Sequence, residues 1–219
     1  INATATSIVK YISKKAGIGI GAGSIRAAGA RVGDGSVVHT GLIPFLKYFQ
    51  SAVKSCSQGG VRGGAATVYL PIWHYEFEDL VVLKNNKGTE ENRVRHMDYT
   101  FQLNKLMYER LLTGGNITFF DPHDVPGLYE SFFSDQDKFK AIYEEYERKT
   151  SIRKKTMPAL DVFQSLLSER KDTGRVYVMN VDHANEHGAF HPNVAPIRMS
   201  NLCCEIDLPT KPLQSADDP

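Results

Sequence analysis

Cysteine is scarce in this sequence: only Cys56, Cys203 and Cys204 occur in 219 residues, and no two of them form a C-x-x-C pair. That excludes a disulfide framework and the thiolate zinc motifs, and it points to a reducing, cytoplasmic setting. Charge of one sign is also lacking, since 26 Lys and Arg face 25 Asp and Glu for a formal net charge of +1. Such a balance leaves no electrostatic footprint for nucleic acid or an acidic membrane. No apolar run approaches the ~20 residues that a membrane helix needs. There is no initiator Met before Ile1-Asn2-Ala3-Thr4, no basic-then-apolar leader, no internal repeat and no low-complexity tract. Both ends read as cut, the last residues being the polar Ser215-Ala216-Asp217-Asp218-Pro219. What remains is a globular composition, 42% hydrophobic and 23% charged, enough for one large domain or two small ones.

Periodicity predicts helices over 3–16, capped by Thr4 or Thr6, and over 42–56, with Phe45, Phe49, Ala52 and Val53 on one side. Between them, glycine alternates with small apolar residues from Gly17 to Gly23, the pattern of a strand that another backbone approaches closely. A polar loop covers 28–36. Further strands are expected at 66–72, 116–120 and 175–180, and helices at 75–84, 98–112 and through most of 128–170, with breaks near Ser134 and 151–158. Strands alternating with helices imply an α/β fold with crossover connections.

The glycines near residue 20 do not make a dinucleotide fingerprint. Starting at Gly19, the third glycine falls on Ser24; starting at Gly17 it falls on Ala22, and no helix follows. A G-K-[ST] triplet is absent as well. The loop Ser57-Gln58-Gly59-Gly60-Val61-Arg62-Gly63-Gly64 is more informative, because a glycine-rich segment is entropically expensive to order. It suits a loop that reshapes around a ligand, with Gln58 and Arg62 offering directional hydrogen bonds; it also suits a plain connection. His183, His187 and His191 recur every four residues, but Gly188 and Pro192 interrupt the helix that would align them, so no metal site is expected.

The sharpest local feature is Asn201-x-Cys203-x-Glu205. In an extended segment these three side chains share a face, each within roughly 7 Å of the next. A carboxylate beside a thiol raises its pKa, which disfavours a thiolate nucleophile and hydrolase chemistry. A neutral thiol or a sulfur radical meets no such objection. The bland alternative is a buried cysteine acting as a small hydrophobe.

Taken together, these stretches resemble the large, catalytic subunit of class I ribonucleotide reductases. The resemblance runs through Ala52–Ala65, Val82–Asn86, Arg93–Tyr99, Gln102–Tyr108, Asp124–Tyr129, Asn180–His183 and Ser200–Glu205 to Leu208–Leu213, covering essentially the whole chain in family order. It implies roughly the first half of a ten-stranded α/β barrel with a central catalytic finger loop, the finger lying at about 198–206. It also implies an effector-site and dimer-interface region at about 1–65, with helices 3–16 and 42–56 at the dimer contact. Cys203 would become a thiyl radical that removes the 3′ hydrogen of the ribose, Glu205 would take the 3′-hydroxyl proton, and Asn201 would orient the substrate. Ser13, Arg26 and Val32 would hold a deoxynucleoside triphosphate or ATP effector, and Gln58, Arg62 and Gly63 would relay its identity to the substrate base.

The partners implied are a ribonucleoside diphosphate, a small metal-containing subunit that generates the radical, a second copy of the chain, and thioredoxin or glutaredoxin as reductant. No cofactor is expected on this segment itself. Cys204 is not part of the family pattern and reads as packing. The family's redox cysteine pair, radical-relay tyrosines, N-terminal ATP-binding domain and remaining half-barrel would lie outside these residues, so no turnover is expected from them alone. A cobalamin-dependent class II reductase shares Asn-x-Cys-x-Glu, but the expected helix over 96–112 favours class I. A non-catalytic nucleotide-binding module would not need all of Asn201, Cys203 and Glu205.

Overall fold

The computed structural model of the protein describes residues 1–58, 60 and 62–210, with the backbone alone at Ser57 and Gln58. In chain order it comprises α1 (Asn2–Ser13), β1 (Ile18–Gly21), β2 (Arg31–Val32), β3 (Val37–Val38), α2 (Leu42–Lys54), β4 (Ser57–Gln58), β5 (Arg62–Gly63), β6 (Ala66–Pro71) and α3 (Phe77–Val81). Then follow β7 (Asp98–Leu103), α4 (Lys105–Leu112), β8 (Asn116–Phe120), α5 (Leu128–Ser134), α6 (Gln136–Arg148), β9 (Lys154–Pro158), α7 (Ala159–Thr173), β10 (Val176–Asn180) and α8 (Val181–Glu186).

The frame is a parallel sheet in the order β1-β6-β7-β10, open among the described residues. Every residue of β6 is buried, as expected of a parallel strand covered on both faces. One face carries Val68, Leu70, Tyr99, Phe101 and Val176 into a continuous core. The other carries Gly19, Gly21, Thr67, Tyr69, Thr100 and Gln102, in register across β1, β6 and β7. An antiparallel pair, β8 on β9 with α5 and α6 between them in the chain, joins the segment just after β6 through a parallel bridge between His74 and Phe120. An aromatic cluster of Trp73, Phe132, Phe139 and Tyr143 packs beside it, with edge and tilted ring contacts 5.0–6.3 Å apart. No helix of the described residues is long and apolar enough to cross a membrane.

The α/β alternation is as the sequence predicts, but several elements differ. Residues 98–103 are not the start of a helix; they are β7, one of the two inner strands of the sheet. Apolar residues sit at Met97, Tyr99, Phe101 and Leu103, a period of two that the helical spacing of α4 just downstream obscures. The expected 28–36 loop contains a small hairpin, β2 on β3, turned by Gly33 and Gly35 at positive φ and by Asp34, whose Oδ1 accepts from Ser36 N. The helix expected over 75–84 shrinks to α3, and the break at 151–158 is the strand β9. The polar stretch after Asn180 opens with α8. Neither Thr4 nor Thr6 caps α1; Ile1 is its N-cap, and the Thr6 hydroxyl donates to Asn2 O. Lys211, Pro212 and Leu213 of the family resemblance, together with Gly59, Val61 and the Gln58 side chain, lie outside the described residues.

The alternating glycines of β1 do what their pattern implies. A Cβ on Gly19 would stand 1.9 Å from the Ser200 carbonyl oxygen, and one on Gly17 would stand 2.7 Å from the Leu202 side chain. Gly21 is different, since its nearest neighbour is the flexible Met199 sulfur at 3.3 Å. Gly19→Ala is therefore expected to destabilise the protein by about 1–3 kcal/mol, the range for overpacking against a backbone that has to move. Gly21→Ala should be neutral, or stabilising by up to about 1 kcal/mol through the unfolded chain. Urea unfolding of the two variants side by side separates these outcomes.

Candidate active site

The polar face of the sheet is covered by the segment 197–206, and each anchor of that segment can be named. Asn185 of α8 is buried and pairs with Ile197 in both directions: Ile197 N donates to Oδ1 at 2.7 Å, and Nδ2 donates to Ile197 O at 2.9 Å. Gln102 of β7 donates to Arg198 O at 2.7 Å. Tyr69 of β6 donates its phenol to Asn201 O at 2.5 Å, and Thr67, two residues earlier, donates to Leu202 O. Carbonyls pressed against a sheet face lose their water and require such donors. The polar residues at alternate positions of two otherwise apolar strands are there to supply them.

Beyond Leu202 the chain does not run extended. It turns, with Cys204 at φ 64°, and closes on itself. The Ser200 hydroxyl donates to Ile206 O at 2.8 Å, while Asn201 Oδ1 accepts from Glu205 N at 3.2 Å. Asn201 Nδ2 donates to Glu205 Oε1 at 2.7 Å. The shared-face expectation for an extended strand is thus corrected: Asn201 and Glu205 meet because the chain reverses, and Cys203 is exposed on the turn between them.

The two adjacent cysteines occupy different surroundings. Cys204 is half-buried, packed against the core and beside Tyr69, which agrees with its expected packing role. Burial chiefly pushes its thiol pKa up, aided by the charges of Asp207 and Glu205 and opposed by the Tyr69 hydroxyl. Burial likewise raises the Tyr69 phenol, with Cys204 adding to it, so this hydroxyl stays a donor at neutral pH.

A cavity of about 670 Å³ lies between α1, β1 and the 198–210 segment, reached by Tyr11, Gly21, Ser24, Tyr129, Arg198 and Asn201. That volume is ample for a small organic ligand. Among the described residues, the others expected at the site do not line it. Ser13 ends α1, and its hydroxyl donates to Lys10 O at 2.9 Å within the same helix. Arg26 reaches the β2–β3 hairpin, donating to Arg31 O at 2.9 Å, and Val32 lies in β2. Arg62 and Gly63 form the exposed strand β5, paired antiparallel with Gln58 and Ser57. His183 and His187 have ring centroids 5.6 Å apart at the end of α8. Among the described residues no group of three or more His, Cys, Asp or Glu could hold a metal ion.

Residues 1–216 match the family described as ribonucleotide reductase, barrel domain. The chain belongs to that family. It is 65% identical over its whole length to the ribonucleoside-diphosphate reductase subunit alpha of Haemophilus influenzae, of which it covers 29%. It is 61% identical to ribonucleoside-diphosphate reductase 1 subunit alpha of Escherichia coli, over 97% of this chain and 28% of that one. With the subunit alpha of Enterobacteria phage T4 the identity is 57%, over 99% and 29% respectively. The chain therefore spans under a third of the length of these relatives. Its open sheet is a portion of the family's barrel.

Sequence reasoning missed Thr67, Tyr69, Gln102 and Asn185. The signal for the first three was present, as polar residues at every second position of β6 and β7, but β7 had to be recognised as a strand first. Two outcomes follow. Tyr69→Phe keeps the ring and strands the Asn201 carbonyl, and should cost about 1–3 kcal/mol of stability in thermal unfolding, the penalty for a buried unpaired acceptor. Because alkylating reagents attack thiolate, iodoacetamide at pH 7.5 should modify exposed Cys203 well before Cys204, whose raised pKa lowers its thiolate fraction. Peptide mapping over time shows the order.

Proposed function

We propose that this chain is the part of a class I ribonucleoside-diphosphate reductase catalytic subunit that carries the radical cysteine. The observation that supports it best is the turn itself: an exposed cysteine between an amide and a carboxylate joined at 2.7 Å, on a segment whose backbone carbonyls are held by the sheet. Cys203, as a thiyl radical, takes the 3′ hydrogen of the ribose and becomes a thiol, leaving the unpaired electron on C3′. Glu205 accepts the 3′-hydroxyl proton, a role that asks mainly for geometry. Asn201 orients the substrate through the amide that otherwise holds Glu205. The radical comes from a metal-containing partner subunit, and the reducing electrons come from a dithiol such as thioredoxin or glutaredoxin.

Regulation in this reading belongs to residues 1–65. A deoxynucleoside triphosphate or ATP binds near Ser13, Arg26 and Val32, and the hairpin with Gln58, Arg62 and Gly63 passes its identity to the substrate base. The helices α1 and α2 pack on one another and leave Val9, Tyr11 and Tyr48 exposed, a surface suited to a second copy of the chain. The relatives' common name, ribonucleoside-diphosphate reductase subunit alpha, favours class I over the cobalamin-dependent enzymes. The structure removes one earlier reason for that choice, because 98–103 is strand and not helix.

In the complete enzyme Cys203→Ser should abolish turnover, since an alkoxyl radical is far harder to form than a thiyl. Cys204→Ser should retain most of it. Reductase assays of the two variants decide the assignment, and the reverse pattern would overturn it. Arg62→Ala should blunt the dependence of substrate choice on effector, because no other side chain replaces a guanidinium's planar set of donors. A competition assay with four ribonucleoside diphosphates reads this directly, and an unchanged response would remove the hairpin from the relay.

A further inference from the structure

Three buried polar groups take no part in the chemistry above: His74, Glu76 and Asp121, exposed by 0%, 6% and 0%. They follow the C-terminal ends of β6 and β8, and all three bond to the stretch of chain that leads to and from the β2–β3 hairpin. His74 accepts from Glu76 N on Nδ1, so its proton lies on Nε2, which donates to Ile25 O at 3.0 Å. Asp121 Oδ2 accepts from Ala27 N at 2.8 Å. Glu76 Oε2 accepts from Ala28 N at 3.3 Å and from Leu42 N at 3.1 Å.

The Leu42 bond closes the arrangement. Leu42 is the first residue of α2, whose N-cap is Gly41 and has no side chain to offer. Gly41 has φ 88°, and a Cβ there would lie 2.4 Å from Glu76 Oε1, so the glycine makes room for the carboxylate. One carboxylate thus accepts from both ends of the 28–42 excursion. From the solvent side Arg153 donates to Ala28 O at 2.6 Å and reaches Asp121 Oδ2 at 3.4 Å, while its guanidinium lies 4.3 Å over the Tyr75 ring.

We propose that Glu76, Asp121 and Arg153 form a clamp that fixes the 25–42 segment, and that they are positioning residues for the effector response. The inference rests on the reading that Arg26 and Val32 lie at the effector site. Arg26 is one residue before a clamped amide, and Val32 lies in the hairpin that the clamp closes at its base. A neutral amide in place of the Glu76 carboxylate accepts less strongly, by about half. Loss of Arg153 frees the Ala28 carbonyl without opening the core, because its side chain is one-third exposed.

The test uses Glu76→Gln and Arg153→Met in the complete reductase, with amide hydrogen exchange and effector titration as separate readouts. Exchange at Ala28 and Leu42 should rise about tenfold in Glu76→Gln, the scale of one weakened charge-assisted bond. In both variants the effector concentration for half-maximal response should rise several-fold. Turnover at saturating effector and melting temperature should stay near wild type for Arg153→Met. Unchanged exchange at Ala28 and Leu42 would overturn the clamp. Faster exchange with an unchanged effector response would reduce it to a structural brace and overturn its regulatory role. If Glu76→Gln does not fold, Arg153→Met alone decides, by the same effector titration. A wild-type enzyme with no effector response would instead sink the effector-site reading, while the exchange measurement still judges the clamp.

Discussion

The contact between Gly19 and the Ser200 carbonyl governs much of what surrounds it. A strand whose side chains alternate can admit another backbone only where the facing position carries no Cβ, and in β1 that position is Gly19, while Gly17 just before the strand makes room for the Leu202 side chain. Once the 198–202 segment lies that close, its carbonyls leave water and require donors from the neighbouring strands. Thr67, Tyr69 and Gln102 stand at the register positions that can reach them. The opposite face of the same strands is apolar and packs into the core. Each strand therefore serves two masters, which is why the polar residues at alternate positions are as constrained as the hydrophobic ones.

With its backbone fixed as far as Leu202, the chain has little freedom in how it continues. The left-handed conformation at Cys204 costs a non-glycine residue about 1 kcal/mol, and it is held by the bonds that Ser200 and Asn201 make to Glu205 and Ile206. This turn separates two cysteines that are adjacent in sequence. One is exposed between an amide and a carboxylate, and the other is pressed beside a phenol whose own ionisation is suppressed. Their different chemistry follows from direction alone, since both side chains are identical.

How much of this was legible beforehand depends on the range of the interaction. The glycine alternation announced a close backbone approach, and the triad at 201–205 singled out a local cluster around Cys203, because both are patterns within a few residues. The triad's geometry was not legible: strand logic placed three side chains on one face, whereas side-chain bonds to the backbone reverse the chain. The strand at 98–103 was lost because its period of two merges without a glycine or proline into the helical spacing of α4. Asn104 separates them by its extended backbone, φ −141°, yet makes no capping bond of its own. Even the family resemblance, which points to Cys203, said nothing of the side chains that hold its loop.

That missing cap points to a wider reason. The first amides of a helix have no partner within it and need acceptors. Here the acceptors come from far along the chain: Asp182 Oδ2 accepts from Lys105 N at 2.7 Å to start α4, and Glu76 does the same for Leu42 to start α2. A local cap would stabilise one helix and nothing else. A distant one ties two segments together, so that moving either loop also disturbs a helix start. In α4 and α2 the buried carboxylates therefore couple a helix start to a segment that is distant in sequence.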